Sequence, residues 1–572
     1  MDRITKSLLT EFSTECGIST LREEVRFEHF SCYLNVGRHL SESFDTADVV
    51  TGSGGDTGID GIAVVINGTL VTDPELVTEL ESINGFLDVS FVFVQAERSS
   101  GFETSKIGQF GFGVRDFFSE SPRLPRNSSI TAAAEIMAAV YAKSSKFKRG
   151  NPVCRLYYVT TGNWTGDANL EARRSAEVED LTALRLFRDV EFVPVGADEI
   201  QRLYSQTKNA ISREFVFSDR TVIPEIPGVD EAYLGLLSAT EFLRLIQDDS
   251  GSIIKSIFYD NVRDWQDYNS VNSEMRDTLG AQDLKSRFAI MNNGITIIAK
   301  TLRSTGNRIY IEDYQIVNGC QTSHVLYDQR NNLDQSVLVP LRVIASRDES
   351  VISSIIKATN RQTEVKEEQL IALSDFQKQL ELFFKSYDDP NKLFYERRSR
   401  QYNDAPGIEK TRIVTPGNLI RAYASMFLEE PHRTTRTYRA LLDNVGREIF
   451  GPSHRLESYY CAAFAAYRLE YLFRNQILDS QYKPARYHIL LAARILLEPE
   501  NPPTPNSHDM KRYAERISTA LWDAQQAENL FCRAAALVDA TALGNFNRDH
   551  IRTQPFTDAL KQECSRLNLP SR

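Results

Sequence analysis

The chain lacks paired cysteines, an excess of basic charge and long apolar runs, and each shortage excludes a class of protein. Its seven cysteines (16, 32, 154, 320, 461, 532 and 564) are odd in number, scattered, and form no C-x-x-C pair. Such a set fits reduced thiols and argues against a disulfide framework or a structural zinc. The sequence contains no H-E-x-x-H, which removes zinc hydrolases of that type, and no G-x-x-x-x-G-K-[ST], which removes a P-loop ATPase. No stretch approaches the ~18 apolar residues that a membrane span needs. The opening "MDRITKSLLTEFSTECG" has no apolar core of signal-peptide length, so the expected location is the cytoplasm and no membrane partner is expected. Glycine and proline are not enriched, so wholesale disorder is not expected. The net charge of −11 gives no global attraction to nucleic acid, which leaves that role to local basic patches.

What is present is the pattern of a multidomain α/β (α+β) protein, and 572 residues suffice for two to four domains. Residues 1–45 carry apolar positions three and four apart and predict helices. A glycine-rich turn, "TGSGGDTG" (51–58), leads into a strand at 59–66, and a charged insertion over 67–88 carries a short helix. A strand follows at 89–98, then helices at 102–118 and 128–145, a buried strand at 155–161 and a strand–turn–helix over 190–208. This first unit is expected to end near 215, with a Pro- and Gly-bearing linker within 216–233. A second α/β unit, 234–405, reads as strands at 291–299, 308–317 and 338–345 with helices at 351–358 and 364–386. Residues 406–572 read as mainly helical.

The strand "FVFVQAERSS" (91–100) begins apolar and ends in charge. A buried strand rarely closes on a carboxylate and a guanidinium without a reason. Alternation puts Gln95 and Glu97 on one face and Arg98 on the other. Asp60 opens the preceding strand, and Glu28 lies on an early helix among aromatic residues. This set resembles the active site of the PD-(D/E)XK nuclease superfamily. That resemblance implies a restriction-endonuclease-like mixed sheet with flanking helices. It implies Asp60 and Glu97 as ligands of Mg²⁺ or Mn²⁺, with Glu28 completing the coordination and Gln95 orienting water or a ligand. Its usual lysine is replaced here by Glu97. Either Glu97 is itself a ligand or general base, or the site has lost cleavage and retains a binding role. Three carboxylates ~4–6 Å apart repel by a few kcal/mol per pair at an effective dielectric near 20, which a divalent cation relieves. On the structural alternative, Glu97 frays into solvent and Asp60 serves its Asp-Gly turn.

Further on come N-x-R-D (261–264), N-N-G-I-T-I (292–297), N-G-C-Q-T-S (318–323), A-T-N-R-Q (358–362) and Y-E-R-R (395–398). In this order, and with "GDTGIDGI" and "VQAERS" ahead of them, they resemble the abortive infection phage resistance (AIPR) family. The resemblance implies bacterial defence against phages, with a nuclease-like front domain; uncontrolled DNA cleavage would kill the host, so that activity is expected to be gated by the second unit. The alternative is an inactive nucleic-acid- or nucleotide-binding sensor or scaffold. Physically, Gly319 permits a tight turn after which the amides of Gln321, Thr322 and Ser323, beside Asn318, would open a helix as an anion site. Asn360 and Arg361 would supply a second polar loop. Arg397, Arg398 and Arg400 between Tyr395 and Tyr402 suit backbone contact and base stacking, as "KFKRG" (146–150) suits phosphate. On the structural alternative these groups satisfy one another as caps, turns and ion pairs. The partners left open are DNA, a phage-derived trigger or nucleotide, and a homodimer or larger defence complex.

Overall fold

The computed structural model describes residues 1–40, 43–52, 58–147, 150–208, 211–248, 251, 253–258, 270–281, 283–360, 375–397, 401–402, 408–436 and 441–567. Helices α1 (Arg3–Glu15) and α2 (Glu23–Val36) come first. Asp2 caps α1 by accepting the amides of Ile4 and Thr5 at 2.9 and 3.0 Å. Strands β1 (Gly61–Ile66) and β2 (Thr69–Val71) form a hairpin, followed by α3 (Pro74–Asn84) and β3 (Val89–Glu97). Then come α4 (Thr104–Phe117), α5 (Ser128–Tyr141), β4 (Val153–Thr160), α6 (Ala168–Ala183), β5 (Asp189–Val195) and α7 (Ala197–Lys208).

The five strands order as β2-β1-β3-β4-β5. β1 runs antiparallel to β2 and β3, while β3, β4 and β5 are parallel. Helices on both faces make the central strands apolar throughout. Phe91 and Phe93 pack with Phe110 of α4 and Ile136 of α5, and Val92 and Val94 pack with Phe27 and Phe30 of α2. Two glycines of α4 set its distance from α6. A Cβ on Gly108 would lie 2.2 Å from Arg173, and one on Gly111 would lie 2.1 Å from Glu177.

The second sheet is built from β6 (Ser212–Val216), β7 (Asp219–Val222), β8 (Glu231–Ser238), β9 (Ile295–Thr305), β10 (Arg308–Asn318) and β11 (Leu338–Ala345), ordered β6-β10-β9-β11-β8-β7. Around it lie α8 (Ala239–Ile246), α9 (Ser270–Gly280), α10 (Phe288–Met291), α11 (Cys320–Asp328) and α12 (Glu349–Asn360). One face carries the main core, and Ile356 of α12 covers Ile298 and Val317 on the other. The stretch read as a linker therefore holds β7 and the first residues of β8, because its short apolar segments pair as strands despite the intervening prolines. The helical region draws in chain before 406. Helix Asp375–Lys385 and the two-residue strands Phe394–Tyr395 and Ile413–Val414 share its apolar core with helices Pro416–Phe427, Leu456–Arg474, Arg486–Leu497, His508–Trp522 and Ala524–Ala542. Residues 364–374 of the helix expected at 364–386 lie outside the described residues.

Candidate active site

Asp60 immediately precedes β1. Its amide donates to the Val94 carbonyl at 2.9 Å, and its carboxylate accepts the Ala96 amide at 2.7 Å, extending the β1–β3 ladder with a side chain. Gly61 next to it lets α2 sit close, since a Cβ there would fall 2.3 Å from Cys32 Sγ. Burial raises the Cys32 thiol well above its ordinary pKa, and the charges of Asp60 and Glu28 raise it further. Glu28 lies one helical turn before Cys32 on α2, which packs on the Val92 and Val94 face of β3, opposite the face of Gln95 and Glu97.

Glu97 does not fray. It stays in the ladder opposite Thr160 of β4. Arg98 turns to the opposite face, as alternation requires, and pairs with Glu23 at 2.8 Å and with Glu24 at the start of α2. Gln95 is buried, and its Oε1 has no hydrogen-bond partner among the described residues. An unpaired buried amide oxygen costs about 1–3 kcal/mol, so a group that accepts its lone pair would be welcome there.

The residue that sequence reasoning missed is Lys106. Its Nζ lies 2.6 Å from Glu97 Oε1. The hydrogen bond to Glu97 holds the ammonium above the usual lysine range against partial burial, and the charges of Glu97, Glu103 and Asp60 add to the rise. The chain reverses after β3 to bring it there. The Thr161 amide and hydroxyl both bond the Ser99 carbonyl, at 3.1 and 2.9 Å, and Gly162 leaves room for the Ser100 carbonyl that a Cβ would meet at 2.2 Å. The only trace in the sequence is a lysine in the first turn of the helix that follows the charged strand end. A cleft of about 790 Å³, lined in part by Phe102, Thr104, Ser105, Asn169 and Arg173, opens along the first turns of α4 and α6.

Among the described residues, no group of three His, Cys, Asp or Glu side chains is gathered tightly enough to hold a metal. The donors present are instead two carboxylates, Asp60 and Glu97, and the amide oxygen of Gln95. Mg²⁺ binds through one or two carboxylates and keeps several waters, so a hard-oxygen donor set of this kind, with a Gln95 Oε1 left to accept, suits its chemistry.

The polar turn of the second unit is built differently. Gly319 holds φ +98, and a Cβ there would meet Ile295 at 2.7 Å, so the N-G-C step is required by backbone and packing. Asn318 ends β10. Gln321 accepts from Asn272 at 2.8 Å, Thr322 from Asn292 at 3.0 Å, and the Ser323 hydroxyl donates to the Gly319 carbonyl at 2.8 Å. The Ser323 amide also donates to Gly319, at 2.9 Å, which corrects the expectation that it would face an anion: it belongs to the first helical bond of α11.

Arg397 is a second correction. It is buried with its Nε 3.2 Å from Glu381, and Tyr395 and Tyr402 are buried beside it, because the short strand at 394–395 feeds the helical core. It offers no surface for a nucleic-acid backbone, and neither ring is open to a base. Lys146 pairs with Glu81 at 2.8 Å. The side chain of Asn360, and residues Arg361, Arg398, Arg400, 148–149, the turn 53–57 and the N-x-R-D stretch, lie outside what is described.

Fold and site define a multidomain α/β protein with an acidic strand-end cluster in a mixed sheet, joined to a second sheet that runs into a helical region. Residues 258–542 match the family model described as AIPR protein, which supports membership of that family. The match covers three of the six strands of the second sheet and most of the helical region, and it begins after the first sheet. No curated protein and no solved structure matches the chain. No helix among the described residues is long and apolar enough to cross a membrane.

Proposed function

We propose that the protein acts in abortive-infection defence against phages, and that its first unit is a divalent-metal-dependent nuclease in which Lys106 supplies the amine that Glu97 displaces from β3. The observation that carries this reading is the 2.6 Å contact between Lys106 and Glu97 at the end of the strand that bears Gln95. The AIPR match supports the defence role. Asp60, Glu97 and Gln95 Oε1 would hold Mg²⁺ or Mn²⁺. A bound ion of this kind polarises a phosphate and activates a water. Lys106 offers a cation to the charge that grows on the phosphate oxygens, a contribution worth about 10²–10³ in rate where such groups are removed.

A second reading rests on the same pair. Lys106 neutralises Glu97 by itself, so the cluster would stand without a cation and serve recognition in a sensor. Cleavage of supercoiled and linear DNA by the full chain, with Mg²⁺, Mn²⁺ or EDTA, separates the two. Metal-dependent cutting lost in Asp60→Ala supports the nuclease; equal cutting in both proteins, or none under any condition, contradicts it.

A further inference from the structure

Residues 45–51 lie between the helical region and the candidate site and touch both. Asp45 caps the short 3-10 turn Thr46–Asp48 by accepting the Ala47 amide at 2.9 Å. On the site side, the Thr51 amide donates to the Asp60 carbonyl at 3.0 Å and the Ile62 amide to the Val49 carbonyl at 2.9 Å. Asn127 donates to the Thr51 carbonyl at 3.0 Å. His29, next to Glu28 on α2, places Nδ1 2.7 Å from the Thr46 hydroxyl. The Asp60 carbonyl is thus tied to this segment, while its amide and carboxylate are tied to β3.

On its other side the segment is held by three cations from more than 400 residues away. Arg474, almost fully buried, places Nη2 2.7 Å and Nε 3.2 Å from Asp45 Oδ2. Arg486 lies 3.0 Å from Asp48 and 3.1 Å from Glu470. Lys483 donates to the Ala47 carbonyl and stands 3.8 Å from Asp48. Burial would raise the Asp45 carboxyl, but the charge and hydrogen bonds of Arg474, with the Ala47 amide and Lys483, outweigh it and hold the group ionised. Buried pairs of this kind contribute little net stability against an apolar replacement, whereas loss of one partner is costly, so their effect is to fix geometry.

We propose that Arg474 and Arg486 are positioning residues for the Asp60 cluster, so that the metal affinity of the first unit depends on the docked helical region. This rests on the reading of that cluster as a divalent-cation site. The other contacts across the same boundary supply a contrast. Arg552, equally buried, pairs with Asp73 and with Glu75 at 2.9 Å at the start of α3, and neither carboxylate lies on the segment that holds Asp60.

The test is Mn²⁺ binding by the full chain, read from the EPR signal of free ion, with thermal melts on every variant. Arg474→Gln and Arg486→Gln are expected to weaken binding tenfold or more and Arg474→Lys to restore part of it, while Arg552→Gln keeps wild-type affinity despite a comparable fall in Tm. Lys483→Met, at a partly exposed side chain, is expected to weaken binding about threefold and serves if an arginine variant does not fold. Wild-type affinity in the folded Arg474, Arg486 and Lys483 variants overturns the positioning role alone. No Mn²⁺ binding by the wild type, or equal binding by Asp60→Ala, overturns the metal-site reading and this inference with it.

Discussion

Two polar clusters sit at corresponding places in the two sheets, each where a strand ends and a helix begins, and they have opposite economies of hydrogen bonding. In the second unit Gln321, Thr322 and Ser323 each have an internal partner, and Gly319 is required by its backbone conformation. In the first unit Gln95 leaves a buried oxygen unpaired, and Glu97 is balanced by a cation brought back from the next helix. A self-satisfied cluster does structural work. An unsatisfied one is retained against a cost of about 1–3 kcal/mol and leaves an acceptor free for a ligand.

The comparison can be broken or sharpened in four ways, from the largest effect down. Asp60→Ala is expected to lower metal-dependent cleavage by on the order of 10³-fold, while its Tm changes little enough for the protein to be assayed folded. Next is a pH effect beneath the first cluster. Burial brings His29 down to about 4, with the neighbouring Asp45 opposing and Lys483 and Arg474 assisting. The folded residue therefore stays neutral while its unfolded counterpart takes a proton near 6.5. The unfolded chain binds the extra proton between those values, so stability falls as pH drops through that window, by about 3 kcal/mol from this residue. Buried His488, brought down to about 3, acts in the same direction. Denaturant melts at pH 7.5 and 5 should show about 2 kcal/mol of the loss, and His29→Gln should reduce it.

Lys106→Ala is expected to lower cleavage about 10²-fold. Glu97→Lys alone should be no better, while the double exchange Glu97→Lys with Lys106→Glu should recover more than the two single changes combined allow. Such non-additivity is the signature of a direct pair. The smallest effect belongs to the second cluster. Gln321→Leu removes the acceptor of buried Asn272 and should cost about 1–3 kcal/mol of stability in a urea melt, with cleavage by the folded protein unchanged. A large loss of cleavage there, with stability intact, would remove the distinction between the clusters.

Much of this was legible in the sequence. Continuous apolar runs identified β1, β3 and β4, and alternation put Arg98 on the face opposite Gln95 and Glu97, where it meets Glu23 and Glu24. The sequence was least informative where tertiary partners decide. Lys106 is one of several lysines at helix starts until the Thr161–Ser99 bonds fold its helix back. The "YERR" arginines read as surface because nothing local shows that Glu381, on a separate helix, waits for Arg397. The linker reading failed since β7 and β8 acquire their strand character from β11 and from each other. Nor does any local pattern announce that Arg474 and Arg486 reach across to Asp45 and Asp48.

The most direct test of the central claim is a calorimetric titration of Mn²⁺ into the full chain and into Asp60→Ala at neutral pH. One binding event is expected in the wild type, and it disappears in the variant. Identical titrations, or no binding in either protein, would contradict it.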